Sequence, residues 1–161
     1  WYGEDSILRQ QATTEYQAVT EALGTQDSDW VLGGMLWIQG EAETYGVAMG
    51  TVTIQQYKTG TLDVFDFFRT LTAMPTMPIY MSQIGYQVNR MDNEQRMRGF
   101  HAIQNAQIEL SQQNQNVHLV FAGAKYFARA GMMADQVHYD RRGYSEVGKA
   151  FARFISNNQS F

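Results

Sequence analysis

Two short segments of the 161-residue chain combine the residue types that acid–base and acyl-transfer chemistry need. The first is Trp37-Ile38-Gln39-Gly40-Glu41-Ala42-Glu43, where an apolar run ends in an amide, a glycine and two carboxylates. A glutamine N–H can donate to a developing oxyanion, a glycine lets a substrate approach the backbone, and a glutamate can orient or polarise a neighbouring imidazole. The second is Ala134-Asp135-Gln136-Val137-His138-Tyr139-Asp140. Histidine has the ordinary pKa that suits general-base work near neutrality, and a carboxylate on its other ring nitrogen fixes the tautomer and favours the imidazolium. Each segment also has a plain structural reading: a polar exit from a strand, and a histidine that caps the next helix. His101, in a helix, and His118, in a strand, have no carboxylate at this spacing and read as packing or surface residues.

Two other chemistries are weaker matches. Asp135, His138 and Asp140 put three donor side chains within six residues, but neither the paired-histidine helix signature nor the calcium-loop pattern is present, so no metal ligands are assigned. Gly143-Tyr-Ser145-Glu-Val-Gly148 misses the nucleophile-elbow spacing by one position and follows no strand, which leaves Ser145 an ordinary first-turn helix residue.

The elements that must position these clusters follow from periodicity. Leu8, Ala12, Tyr16, Val19 and Leu23 fall on one helical face, with Ser6 or Asp5 placed to cap it and Gly24 to end it. Trp30 to Ile38 is an unalternating apolar run, as in a strand buried on both faces of a parallel sheet. Residues 43–50 read as a glycine-containing loop, and 53–71 as a helix presenting Tyr57, Leu62, Phe65, Phe68 and Leu71. A second strand is predicted over 79–84. Asn93 then caps a long helix with Met97, Phe100, Ile103, Ala106 and Leu110 inward, and a third strand covers 117–122. The last helix begins near Arg141 or Arg142 and shows Tyr144, Val147, Phe151 and Ile155. Strands alternating with crossover helices imply an α/β fold, a doubly wound parallel sheet in a three-layer α/β/α sandwich, with ligands at the carboxyl ends of the strands. Three strands make a thin sheet.

Composition removes several function classes. Twelve Lys and Arg against sixteen Asp and Glu leave a net charge of −4, with no basic block to hold a phosphate backbone, so no nucleic-acid partner is expected. The chain has no cysteine, hence no disulfide framework, thiolate metal site or cysteine nucleophile. Its length suits a single domain with a sizeable core, and no apolar run approaches the roughly 18–20 residues of a membrane span.

Trp37-Ile-Gln39-Gly40-Glu41 after a buried strand, with Asp135-x-x-His138 before a C-terminal helix, resembles the SGNH hydrolases, in particular the sialate O-acetylesterase-like and acetylxylan-esterase-like carbohydrate esterases. The match runs from about Leu8 to Ile155. The resemblance implies a flavodoxin-like SGNH hydrolase fold, with His138 as general base, Asp135 as its orienting acid, Gln39 as an oxyanion-hole donor and Glu41 as a site residue that in some members shares the acid role. It implies an acetylated carbohydrate as substrate and calls for no metal or organic cofactor. One part of the pattern has no counterpart: the glycine-x-serine-asparagine block that carries the nucleophile after the first strand. In family order that block precedes residue 1, so the expectation is a domain incomplete at its N-terminus, with the serine on a preceding segment or a companion chain. The polymeric sugars such enzymes meet imply a location outside the cytoplasm, such as a cell surface or phage particle.

The chain is therefore expected to be a carbohydrate O-acetyl esterase, probed by acetate release, with Gly40, Trp37 and Tyr139 as substrate-binding residues. Two other readings stand beside it. Glu41 with Asp135 or Glu43 could serve as paired carboxylates of a glycoside hydrolase, which needs separations of about 5–9.5 Å. Alternatively, the fold persists as a non-catalytic carbohydrate-binding or structural module.

Overall fold

The computed structural model describes residues 6–25 and 29–158. The elements run α1 (Ile7–Gly24), β1 (Met35–Trp37), α2 (Glu41–Met49), α3 (Ile54–Leu71), β2 (Ile79–Ser82), α4 (Glu94–Gln113), β3 (Val117–Phe121) and α5 (Arg141–Asn158), with single 3-10 turns at Val88–Arg90 and Gly123–Tyr126. All three strands are parallel in the order β1-β2-β3, Met35 lying opposite Ile79 and Ile79 opposite Val117.

The two-residue period of a strand divides the core between the faces of this sheet. Ile79 and Met81 of β2 pack with Val64 and Phe65 of α3 and Phe100, Ile103 and Leu110 of α4. Tyr80, between them, points the other way into a cluster with Val147 and Phe151 of α5. Helices thus cover both faces, and the architecture is the expected three-layer α/β/α sandwich. Local signals start its helices: Thr53 and Gln56 form a capping box at α3, and the Asn93 side chain accepts from the N–H of Arg96 at α4. The first helix is tied differently. Ser6 makes no side-chain capping bond, Asp5 lies outside the described residues, and α1 is held through Arg9, which pairs with Asp63 and lies 5.0 Å over the Phe67 ring.

Two elements differ from the expectation. The strand predicted over 30–38 shrinks to Met35–Trp37, because Gly33-Gly34 makes poor strand and Met35 N–H is the first to reach β2, donating to the Pro78 carbonyl. β1 lies at the end of the strand order and α5 packs on β3, so Leu36 is 55% exposed rather than buried on both faces. The stretch read as a loop over 43–50 is helix α2, closed by Gly50 in the left-handed conformation. Its polar sequence hid it, yet Glu41 and Glu43 in its first turn suit the positive end of the helix dipole. Tertiary packing completes it: a Cβ on Gly99 of α4 would lie 2.2 Å from the Thr44 carbonyl oxygen, so only glycine lets the two helices approach this closely.

Candidate active site

The two chemical segments meet at the carboxyl ends of the strands, where β1 enters α2 and where a loop returns to α5. The β1 exit is pinned from beneath by α4. Gln107, fully buried, donates to the Gln39 carbonyl (3.0 Å) and the Tyr57 hydroxyl (3.3 Å), while its own carbonyl accepts the N–H of Ile84 (3.0 Å). Gln104, one turn earlier, donates to the Ile84 carbonyl (2.9 Å) and accepts from Gln83 through its own backbone carbonyl (3.0 Å). These amides satisfy the backbone groups that β1 and β2 leave unpaired where they end. Gly40 then turns the chain at φ +141°, a conformation that disfavours any side chain, and a Cβ there would press on Ile103, Ile84 and the Tyr57 hydroxyl at 3.0–3.2 Å.

From that turn the side chains fan out. Gln39 donates to Glu43 Oε2 at 2.6 Å, a charge-assisted bond that leaves one amide hydrogen for another acceptor. The carboxyl of Glu41, the buried end of a half-buried side chain, has its pKa raised chiefly by desolvation, with Glu43 adding to the rise and the His138 imidazole opposing it. Tyr57 is pushed up by burial first, and both glutamates contribute. These mutual fields place Glu41, Glu43, Tyr57 and His138 in one electrostatic neighbourhood.

The second half is a short hairpin-like loop. Met133 bridges Tyr139, and Ala134 N–H donates to the His138 carbonyl at 2.9 Å. Inside it, Asp135 Oδ1 accepts the backbone N–H groups of Val137 and His138, each at 2.7 Å, and Oδ2 meets His138 Nδ1 at 2.7 Å. The His138 N–H, then the His138 ring and the Val137 N–H, hold the Asp135 carboxyl down at about 2. It is therefore a carboxylate wherever histidine titrates. This contact makes Nδ1 the donor and leaves Nε2 as the basic atom of a neutral ring. Both residues are exposed, and Nε2 has no hydrogen-bond partner among the described residues.

The arrangement offers an oriented imidazole with an open basic nitrogen and a carboxylate beside it, with the Gln39 amide at the same end of the sheet. A chain of this kind is matched over residues 3–157 by a family model described as a carbohydrate esterase, sialic acid-specific acetylesterase. The chain belongs to that carbohydrate esterase family. A search of curated proteins found no match.

Within this family member the expected site residues divide. His138, Asp135, Gln39 and Glu41 are brought to one end of the sheet. Trp37, Gly40 and Tyr139, expected to meet the sugar, are instead interior. Trp37 packs edge-on against Phe65 at 5.4 Å, Gly40 is filled around by Ile103, Ile84 and Tyr57, and the buried Tyr139 accepts the Gly85 N–H at 2.9 Å. Their sizes and shapes serve the scaffold beneath the site. Asp140 turns away from Asp135 and His138: Oδ1 caps α5 by accepting the Gly143 N–H at 2.9 Å, and Oδ2 accepts from Arg142. Ser145 is exposed on the first turn of α5, as its spacing predicts. His101 meets the Tyr86 hydroxyl at 3.1 Å, and His118 stacks on Tyr80. Sequence reasoning missed Gln104 and Gln107, although two glutamines three apart on an otherwise apolar helix face are the signal of a buried polar network.

Proposed function

We propose that this family member is a carbohydrate O-acetyl esterase in which His138 is the general base for a serine supplied by a preceding segment of polypeptide or a companion chain. The single observation that carries the reading is the Asp135–His138 pair, with Nδ1 held by the carboxylate and Nε2 open. His138 Nε2 takes the serine proton as the hydroxyl attacks the acetyl carbonyl, then returns it to the departing sugar oxygen. The free amide hydrogen of Gln39 donates to the tetrahedral oxyanion. Water, activated by the same imidazole, releases acetate and restores the serine. Support for a serine from elsewhere is that no described serine hydrogen-bonds His138, and that β1 ends the strand order with Leu36 bare. A strand bearing the nucleophile could pair at that edge. Both oxygens of Asp135 are already committed within its own loop, which favours an orienting role over one as a glycosidase carboxylate.

The test uses the intact assembly and an O-acetylated sugar. Acetate release by the parent, its loss in His138→Ala and labelling of a serine by a fluorophosphonate are the expected results. Equal acetate release by parent and variant would overturn the role of His138. A complete absence of labelled serine would favour a non-catalytic carbohydrate-binding module.

A further inference from the structure

The acyl transfer makes no use of Glu43, a half-buried carboxylate on the first turn of α2. Its Oε2 accepts from the Gln39 amide at 2.6 Å, and this is its sole hydrogen bond among the described residues. The ion pairs of the described residues all lie elsewhere, so no cation balances it. The charge is also held against its neighbours, since Glu43 adds to the upward pKa shifts of Glu41 and Tyr57. A charge that opposes its surroundings and touches one side chain points to that side chain as its purpose.

Gln39 is gripped at both ends. Gln107 of α4 donates to its backbone carbonyl at 3.0 Å, and Glu43 of α2 takes one hydrogen of its amide. The helix that carries Glu43 is itself fixed, by the turn at Gly40 and by the close approach of Gly99 to Thr44. What the backbone grip leaves open is the last torsion of the glutamine, which is broad and two-fold and exchanges the carbonyl oxygen with the NH₂ group. The exchange matters for catalysis: an NH₂ group stabilises an oxyanion and a carbonyl oxygen repels it. A carboxylate accepts and never donates, so it bonds the NH₂ end alone and selects one of the two arrangements. No described acceptor takes the second amide hydrogen.

We propose that Glu43 is a positioning residue that sets the orientation of the Gln39 amide, taking one N–H so that the other is held ready for the acyl oxygen. Its catalytic consequence rests on the esterase reading and on Gln39 as oxyanion donor. The hold of Glu43 on the amide is a property of the chain by itself.

The test joins nitrogen-15 spectra of the full chain to kinetics of the serine-containing assembly on an O-acetylated sugar. In the spectra the Gln39 side-chain amide is assigned by its absence from Gln39→Ala. One of its protons is expected downfield of the ordinary glutamine range, and should return toward it in Glu43→Gln, whose new amide can donate as well as accept. Glu43→Gln should lower kcat about tenfold with KM little changed, a fraction of the ~10²–10³-fold that a whole oxyanion donor is worth. Added to Gln39→Ala, the same substitution should cost less than about twofold more, because a residue that acts through another loses its effect with it. Its thermal midpoint should hold level or rise, since a like charge is removed from the field of Glu41, whereas a merely structural role would lower midpoint and activity together. Ordinary Gln39 amide resonances in the parent, equal kcat in parent and Glu43→Gln, a full further tenfold loss on top of Gln39→Ala, or a midpoint that falls with kcat would each overturn the positioning role. Absence of acetate release by the parent assembly removes the esterase reading, and the amide resonances then decide whether Glu43 orients Gln39. Acetate release with equal kcat in parent and variant keeps the esterase reading and removes the role of Glu43.

Discussion

At the exit of β1, the candidate site residues are held by elements far away in sequence: Gln107 reaches back 68 positions to the Gln39 carbonyl, and Gly40 is packed between Ile84, Ile103 and Tyr57. In the loop before α5, three bonds to Asp135 come from residues two and three positions away, and the whole device sits in solvent. The contrast separates two ways of holding a polar side chain at the end of a sheet. A buried half is rigid because its neighbours leave it no alternative, and its glutamate accepts a desolvation cost. An exposed half is ordered by a local turn, remains hydrated and keeps its carboxylate ionised.

That difference should appear most strongly in activity. His138→Ala is expected to lower acetate release by the intact assembly about 10⁴-fold or more while the thermal midpoint barely moves, since the side chain is exposed and its bond to Asp135 is made in solvent. A large loss of stability instead would break the contrast. Gln39→Ala should cost about 10²–10³-fold, the value of one oxyanion donor, read as a fall in kcat with KM little changed.

The buried half should answer in stability. Gln107→Leu leaves the Ile84 N–H and the Gln39 carbonyl without their partner, and chemical denaturation is expected to show a loss of about 1–3 kcal/mol. A neutral result would mean that the exit of β1 is not held from beneath.

The smallest effects concern pH, and their signs are opposite. Asp135 titrates at about 2 in the folded chain against an ordinary 3.8, so the stabilisation it provides is fully present above about pH 4 and is lost as pH falls toward 2. Its carboxyl resonance should move near pH 2. Glu41 has a raised folded value, so its contribution is most favourable below its ordinary 4.5 and is lost as pH rises through the folded value. Glu41→Gln should therefore unfold at an equal or higher temperature than the parent at pH 7, with lower activity. A lower midpoint would show that the charge of Glu41 is compensated.

Much of the layout was legible in the residues alone. Leu8 to Leu23, Asn93 to Leu110 and Arg141 to Ile155 carry a helical period, and β2 and β3 are compact apolar runs, so order and layering followed. The β1 exit and the Asp135-x-x-His138 loop were marked by residue type and spacing. Less legible was α2, whose small and polar residues show no apolar stripe and whose helical state depends on docking against Gly99. The same limit applied to Trp37 and Tyr139: aromatic rings near a motif look alike whether they face a sugar or the core, and only burial distinguishes them.

What the sequence by itself determined is the local chemistry: an aspartate three residues before a histidine can close a turn and grip the imidazole without help from the rest of the chain. Tertiary structure decided everything that depends on distant partners. It raised the pKa of Glu41 by burying it and seated Gln107 under Gln39. Burial and long-range fields depend on three-dimensional distance, which the order of residues does not contain.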